Sequence, residues 1–370
     1  MRSYDMTVME KMTLIDAHLH MGSAEGIDRI MKVRKDCGMK AVSFMSLSQS
    51  SENRMAQNVD GFLLKALHPR EAYVFGGLHY HLPGRKYTDI DAAAQARRLI
   101  EIGCDGIKML EGKPTVRKDL GIPLDAPLYD EYYAYLQENG IPVVFHVADP
   151  EEFWDPAACP EWAKKSGWFY DATYPAKQQL YDETEGVLRK FPRLSVIFAH
   201  FHFLSADPER AREFMERHPC ANLDITPGSE MYFNFSKRPD VWHEFFTKYQ
   251  DRIFFGTDNT DKESAAAPGD RSSAATRVNW MRTFLETTGP FQGFVWTLQG
   301  IGLDKAVLEK IYHGNFERVA GRKPRKLKLD LAIEQTLWTI DQARKSRLAD
   351  RLVPSLEGSL ARLKELAMGK

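Results

Sequence analysis

Long hydrophobic runs, clustered cysteines and an excess of charge of one sign are all missing from this 370-residue sequence. No run of about 18 uncharged apolar residues occurs, so no membrane span is expected. The four cysteines lie far apart, which indicates neither a zinc-knuckle spacing nor a disulfide framework. Lys and Arg number 50 against 51 Asp and Glu, and this balance argues against nucleic acid as a partner. The first eleven residues lack an apolar signal-peptide core, so we expect a cytoplasmic protein.

Eight short apolar runs rich in Val, Ile and Phe recur along the chain, separated by polar stretches with helical spacing. Most are apolar on both faces, which predicts parallel strands covered by helices. The runs are Thr13–His18, Ala41–Leu47, Tyr73–Leu78, Gly106–Leu110, Pro142–Ala148, Leu194–His200, Ala221–Thr226 and Arg252–Asp258. This alternation predicts a (β/α)8 TIM barrel. A doubly wound open sheet is the alternative, but no glycine-rich phosphate turn follows the first run.

The chain divides by composition near residue 320. We expect residues 1–320 to form the barrel and residues 321–370 to form a basic helical extension, with twelve Lys and Arg against six Asp and Glu. The four-residue spacing of Leu329, Ile333 and Leu337 predicts an amphipathic helix that packs on the barrel or on a partner subunit.

Histidines and an aspartate stand at the ends of four predicted strands. Strand one ends in His18 and His20, strand five carries His146, strand six ends at His200 and strand eight ends at Asp258. In a parallel barrel the carboxyl ends of all strands meet at one rim, where these side chains would converge. Each alone is more often a core residue or a turn residue, but together they indicate a divalent-metal site.

These residues give the chain a resemblance to the amidohydrolase superfamily, in its amidohydrolase-related branch. That branch combines a DxHxH first strand (Asp16–His20) with the later His, His and Asp, and it closes with an apolar helix like Ile311–Val319. The resemblance runs from residue 14 to 322. It implies a TIM-barrel enzyme with one divalent ion, usually zinc, with manganese or iron also compatible.

The resemblance also implies the role of each residue at the site. His18, His20, His146 and Asp258 would hold the metal, and Asp258 would accept a proton from the attacking water. His200 would be either a further ligand or a group that polarises the substrate.

Two further residues have alternative interpretations. Asp16 would orient a ligating imidazole or only bond to nearby backbone. Lys108, in a Gly-x-Lys context, is interpreted as an unmodified cation facing the substrate rather than as a carboxylated bridge between two metals.

Lys108 on strand four is thus one candidate for contact with a substrate. Residues after other strands are weaker candidates, for which a turn hydrogen bond or loop packing is the alternative explanation. They are His79, His81, His202, Trp154 and Arg271.

Three functions remain open at this point. The first is hydrolysis of an ester, lactone or amide of a small molecule, and the second is non-oxidative decarboxylation of an aromatic or dienoic acid. The third is a barrel used only for binding. Many decarboxylases of the branch carry Gly-Glu after the strand-six histidine, whereas this chain continues from His200 with Phe201-His202, so we favour the hydrolase. A homodimer is expected only because members of this family commonly form homodimers.

Overall fold

The computed structural model describes residues 12–228, 230–262, 273–293 and 296–369. Eight parallel strands follow one another in sequence order around a TIM barrel, as predicted. They are β1 (Ile15–Leu19), β2 (Ala41–Met45), β3 (Ala72–Gly76), β4 (Gly106–Gly112), β5 (Val143–Val147), β6 (Val196–Phe198), β7 (Ala221–Asp224) and β8 (Ile253–Phe254). Backbone bonds from Ala17 to Phe255 (3.0 Å) and from Asp258 to His18 (2.8 Å) join the eighth strand's end to the first strand.

Helices alternate with the strands and continue beyond them. Those of the barrel are α1 (Ile27–Asp36), α2 (Gln57–Leu67), α3 (Ala92–Ile102), α4 (Pro114–Leu120), α5 (Asp130–Glu138), α6 (Glu161–Lys165), α7 (Lys177–Lys190), α8 (Pro208–Arg217), α9 (Met231–Lys237), α10 (Pro239–Lys248), α11 (Ala274–Glu286), α12 (Lys305–Glu309) and α13 (Asn315–Ala320). The extension forms α14 (Leu329–Arg344) and α15 (Ala349–Ala367). No helix in the described ranges is both long and apolar enough to cross a bilayer.

One antiparallel hairpin stands apart from the barrel sheet. Its strands are β9 (Thr288–Gln292) and β10 (Thr297–Ile301). The sequence analysis did not predict it, because β9 contains Gly289 and Pro290 and is mostly exposed, so it lacks the apolar pattern of a buried strand.

An irregularity in β1 turns its histidines toward the site. Ile15 and Ala17 belong to the apolar cluster inside the barrel, whereas Leu19 belongs to the cluster between barrel and helices. Strict alternation would therefore point His18 outward. The pairing of β1 with β2 shifts register between Asp16 and Leu19, and a bulge of this kind re-aims a side chain.

The extension packs on one side of the barrel, against α2 and α3. Its helix α14 forms as expected, but the predicted stripe does not lie fully on the barrel, since Leu337 is 47% exposed. The residues that it buries are Ala332, Thr336, Thr339, Ile340 and Ala343. A four-residue spacing drifts around a helix of 3.6 residues per turn, so the contact face follows a different line.

A candidate metal centre at the barrel rim

Three side chains meet at the carboxyl ends of β1 and β8. One ligand atom from each of His18, His20 and Asp258 lies within 4.8 Å of the others. Nε2 of His20 is 3.2 Å from Nε2 of His18 and 3.2 Å from Oδ1 of Asp258. His18 is fully buried, whereas the Asp258 side chain is 31% exposed. We call these three residues the His-His-Asp trio.

The other ring nitrogen of each trio histidine is held by an acceptor. Nδ1 of His18 is 2.8 Å from Oδ2 of Asp224, and Nδ1 of His20 is 2.9 Å from the backbone oxygen of Met45. A carbonyl oxygen can only accept, and a carboxylate on an imidazole favours the same arrangement, so Nδ1 carries the proton in both rings. Such contacts are the usual means by which a protein fixes the tautomer of a metal-binding histidine.

This donor set fits a divalent cation. Burial lowers the pKa of His18 to about 3, and the positive charge of the nearby Lys108 is a second cause in the same direction. The ring is therefore neutral, and its Nε2 presents a lone pair. The lone pairs of the two Nε2 atoms and the oxygen of Asp258 therefore converge. Burial alone would raise the pKa of Asp258, but the adjacent His20 and then the ring of His200 hold it well below its usual range. Two imidazole nitrogens and a carboxylate oxygen suit zinc and related ions.

Lys108 on β4 reaches the same point. Its Nζ is 3.2 Å from Nε2 of His18, and the side chain is buried. Burial lowers the pKa of Lys108 to about 8, although Asp224 and Asp258 raise it in part. The residue thus places one hydrogen-bond donor beside the trio.

His200 lies just beyond the end of β6 rather than in the strand. Residues 200–203 all have positive φ, between 52° and 57°, a conformation that costs about 1–2 kcal/mol per non-glycine residue. The backbone N of His200 donates to Oδ1 of Asp224 at 2.9 Å, and its Nδ1 donates to the oxygen of Thr226 at 3.1 Å. Its ring centroid is 5.8 Å from that of His18. The turn thus brings His200 beside the trio.

His146 is not part of the trio in the structure. Its Nε2 is 3.2 Å from Oδ1 of Asp149, and its ring centroid is 4.9 Å from that of His200. The chain bends back at Ala148, whose φ is 66°, so that Asp149 faces the ring. The role of His146 as a metal ligand therefore stays a prediction.

Asp149 is the centre of a buried polar cluster. Both its carboxylate oxygens accept from Nζ of Lys113, at 2.9 and 2.7 Å, and Oδ2 also accepts from the hydroxyl of Tyr170 at 2.5 Å. Burial alone would raise the pKa of Asp149, but Lys113 and then His146 hold it below its usual range. The cluster ties the segment after β5 to β4 and fixes the ring of His146.

Asp16 contacts backbone and Thr257 rather than a ligating imidazole. It accepts from the hydroxyl of Thr257 at 2.6 Å and from the backbone N of Thr257 and His18, at 3.0 and 3.2 Å. Burial raises its pKa to about 7. In the structure Asp16 therefore bonds to nearby backbone. The carboxylate that contacts the ring of His18 belongs to Asp224 instead.

A family comparison agrees with this geometry. The model of the amidohydrolase family matches residues 82–322, well over half of the chain. The chain belongs to the amidohydrolase family. The resemblance inferred from the strand-end residues is thereby confirmed. Enzymes of this family typically depend on a metal, and the trio supplies a donor group for one.

Solved structures share the fold of this amidohydrolase at low sequence identity. A TIM-barrel protein from Bordetella bronchiseptica is 16% identical, with a TM-score of 0.51 over 84% of this chain and 99% of its own. A 2,6-dihydroxybenzoate decarboxylase from Rhizobium is 13% identical, with a TM-score of 0.51 over the same shares. A 4-oxalomesaconate hydratase from Rhodopseudomonas palustris is 13% identical, with a TM-score of 0.52 over 88% and 99%. No curated protein sequence matches the chain significantly.

The weaker substrate candidates are spread around the rim of the amidohydrolase barrel. His81 lies 3.2 Å from the oxygen of Gln49, and Gln49 in turn bonds the backbone of Lys108 at 3.1 Å. Trp154 donates to the oxygen of Pro175 at 3.1 Å, within its own loop. Arg271 lies outside the described residues.

The other two candidates face away from the trio. His79 packs on Trp338 of α14, with ring centroids 5.7 Å apart. His202 lies among the rings of Phe198, Phe214 and Tyr181, at 4.3, 4.8 and 4.9 Å. Both therefore contact helices that cover the strands rather than the trio, and their role toward a substrate stays a prediction.

Two buried carboxylates at the site were not predicted from the sequence. Asp224 ends β7, and the rule that strand ends converge at the rim would have included it. Asp149 comes two residues after β5, where only the geometry of the bend at Ala148 brings it back to His146. No spacing in the sequence signals that contact.

Proposed function

We propose that this amidohydrolase is a metal-dependent hydrolase that cleaves an ester, lactone or amide of a small molecule. The observation that carries the proposal is the position of Asp258. Its carboxylate lies 3.2 Å from Nε2 of His20, has a pKa well below its usual range, and is the most exposed member of the trio. It is therefore the trio residue best able to meet a water molecule and a substrate at the barrel mouth.

Each nearby residue has a part in this reaction. A divalent ion held by the trio would lower the pKa of a bound water from about 15.7 to about 7. Asp258 would accept the proton of the attacking water at Oδ. Nζ of Lys108 would donate to the oxygen of the carbonyl as it gains negative charge. Nδ1 of His200 already donates to Thr226, so its Nε2 is an acceptor in the neutral ring, and Lys108 is the better donor to the oxyanion.

The experiment is a substrate screen with product analysis. Lactones, esters, amides and aromatic carboxylic acids are incubated with the metal-loaded protein, and released acid and carbon dioxide are both measured. Release of acid with uptake of oxygen from labelled water supports the hydrolase. Two proteins that share the fold are a decarboxylase and a hydratase, so release of carbon dioxide, or addition of water to a double bond without cleavage, would overturn the proposal.

The variant Asp258→Asn tests the proton acceptor. The amide keeps an oxygen that can bind the ion but loses the basic carboxylate, so we expect kcat to fall by about 10²- to 10⁴-fold while most of the metal is retained. The exposed Asp251→Asn is the matched control, because Asp251 precedes β8 at the opposite end of the barrel and pairs with Lys310; it should keep wild-type kcat. Full activity of Asp258→Asn would exclude the proposed role.

A further inference from the structure

A cleft lies outside the barrel, between α3 and the extension helix α14. Its volume is about 270 Å³, slightly below the range of about 300–1,000 Å³ that is usual for drug-sized ligands. It therefore suits a molecule with one ring. Its walls come from the start of α2, the segment after β3, α3 and α14, and they contain no member of the trio.

Two aromatic side chains form one side of the cleft. His79 is 5% exposed and packs against Trp338, which is 37% exposed. Two side chains hold the segment of His79 in place. Asn58 lies 3.2 Å from Nε2 of its ring, and Gln95 bonds both its backbone N and its backbone O, at 2.8 and 3.1 Å. Burial lowers the pKa of His79 to about 4, so the ring is neutral. The His79 half of the aromatic wall is thus held in place by its own hydrogen bonds.

Apolar side chains complete the cleft and one arginine offers a charge. The apolar members are Leu82, Ile90, Ala94 and Leu99. Arg98 is engaged by Glu334 at 2.7 Å, whereas no carboxylate in the described ranges forms an ion pair with Arg85. The remaining acid, Asp91, caps α3 through the N–H of Ala94 at 2.8 Å. Arg85 is therefore the cation in the cleft that is available to a ligand.

We propose that this cleft is a second ligand site that binds a small monocyclic aromatic carboxylate. The ring would lie on the exposed face of Trp338, beside the apolar side chains, and the carboxylate would accept from the guanidinium of Arg85. The outer wall comes from α14, which lies beyond residue 322, where the family match ends. The site thus forms only where the extension of this chain covers the barrel, and it does not rest on the proposed hydrolase.

The test is a titration of the full-length protein with benzoate, followed by calorimetry or saturation-transfer NMR. Because Arg85→Gln loses a charge-assisted hydrogen bond to the carboxylate, it should weaken binding by about tenfold or more. Trp338→Ala should weaken it comparably, and the neutral benzamide should bind the wild type about as weakly as benzoate binds Arg85→Gln. The exposed residues Arg97 and Trp162 lie outside the cleft, and their variants Arg97→Gln and Trp162→Ala are matched controls that should bind normally.

Independence from the barrel mouth is tested in parallel. Benzoate should bind equally to the metal-depleted protein and to Asp258→Asn. Absence of binding up to the solubility of benzoate, equal binding by Arg85→Gln and wild type, or loss of binding in Asp258→Asn would each overturn the proposal.

Discussion

Asp224 forms hydrogen bonds with two parts of the site at once, the ring of His18 and the backbone that follows β6 and β7. Its Oδ2 orients the ring of His18 at 2.8 Å, while Oδ1 accepts from the backbone N of His200 at 2.9 Å and of Thr226 at 3.1 Å. The partner of a ligating imidazole fixes its tautomer and raises its basicity. The orientation of His18 thus depends on a residue that need not contact the ion.

We expect Asp224→Asn to bind metal more weakly by about 10- to 100-fold, because the charge that favours the Nδ1–H tautomer of His18 is lost. Competition with a chromophoric chelator measures this affinity. Asp251→Asn, exposed and distant from the rim, should keep wild-type affinity. An unchanged metal affinity in Asp224→Asn would show that the contact with His18 does not support the site.

The sequence predicts which residues form the trio better than it predicts the contacts around them. His18, His20 and Asp258 could be placed together because they end strands, and strand ends share a rim. The same rule put His146 in the metal site, yet its ring faces Asp149. That contact depends on the positive φ of Ala148, and an alanine in the sequence does not indicate a positive φ.

Among the elements, the closing contact between β8 and β1 holds the trio together. Gly256 follows β8, and a Cβ built there would lie 2.9 Å from Cβ of His18 and 2.8 Å from Oγ1 of Thr226. The chain can pass this close to His18 only because residue 256 has no side chain. The distance between His18 and Asp258 therefore depends on a glycine.

Gly256→Ala should destabilise the protein by about 1–3 kcal/mol, because the added methyl group overpacks a buried site, and it should weaken metal binding by displacing His18. Calorimetric unfolding with and without metal measures both effects. Gly358 in α15 has open space around its Cα, so Gly358→Ala is the control and should be neutral or stabilising by about 0.5–1 kcal/mol. A Gly256→Ala protein as stable as wild type would contradict the close-contact explanation.

The strands could be predicted because their apolar pattern is local in the sequence. The irregular turns have no such pattern and could not be predicted. The run Ala41–Leu47, for example, is apolar on both faces and became β2 (Ala41–Met45). By contrast, the left-handed turn at residues 200–203 consists of ordinary His and Phe, and nothing in those residue types indicates positive φ. The surrounding contacts, such as the bond from Tyr181 to the oxygen of His202 at 3.0 Å, impose it.

For the molecule as a whole, a buried ion pair connects barrel and extension. Nζ of Lys65 on α2 bonds Oδ2 of Asp105, and neither side chain is more than 1% exposed. Oδ1 of Asp105 accepts from the backbone N of Arg325 at 2.7 Å, just before α14. One carboxylate thus holds a barrel helix and the start of the extension.

Lys65→Met should cost about 3–5 kcal/mol of unfolding free energy, because it leaves the charge of Asp105 buried without its partner. Urea unfolding followed by circular dichroism measures the loss. The exposed pair of Lys345 with Asp341 provides the control, and Lys345→Met should cost less than about 1 kcal/mol. If the two variants lose equal stability, the buried pair does not anchor the extension.

The extension was predictable as a helix but not in the face that it buries. Its basic composition and apolar spacing indicated α14, yet the choice between the stripe through Leu337 and the stripe through Thr336 and Ile340 depends on the shape of α2 and α3. That shape is a tertiary property, and it also creates the cleft beside Trp338.

Elemental analysis of the purified full-length protein decides whether the trio holds a metal. Measured by inductively coupled plasma mass spectrometry after loading with zinc and desalting, the wild type should contain one ion per chain. His18→Ala should lose most of it, since one of two imidazole ligands is gone, while His68→Ala, at the end of α2, should retain it. A wild type without bound metal, or a His18→Ala protein with full occupancy, would contradict the metal centre on which the proposed hydrolase depends.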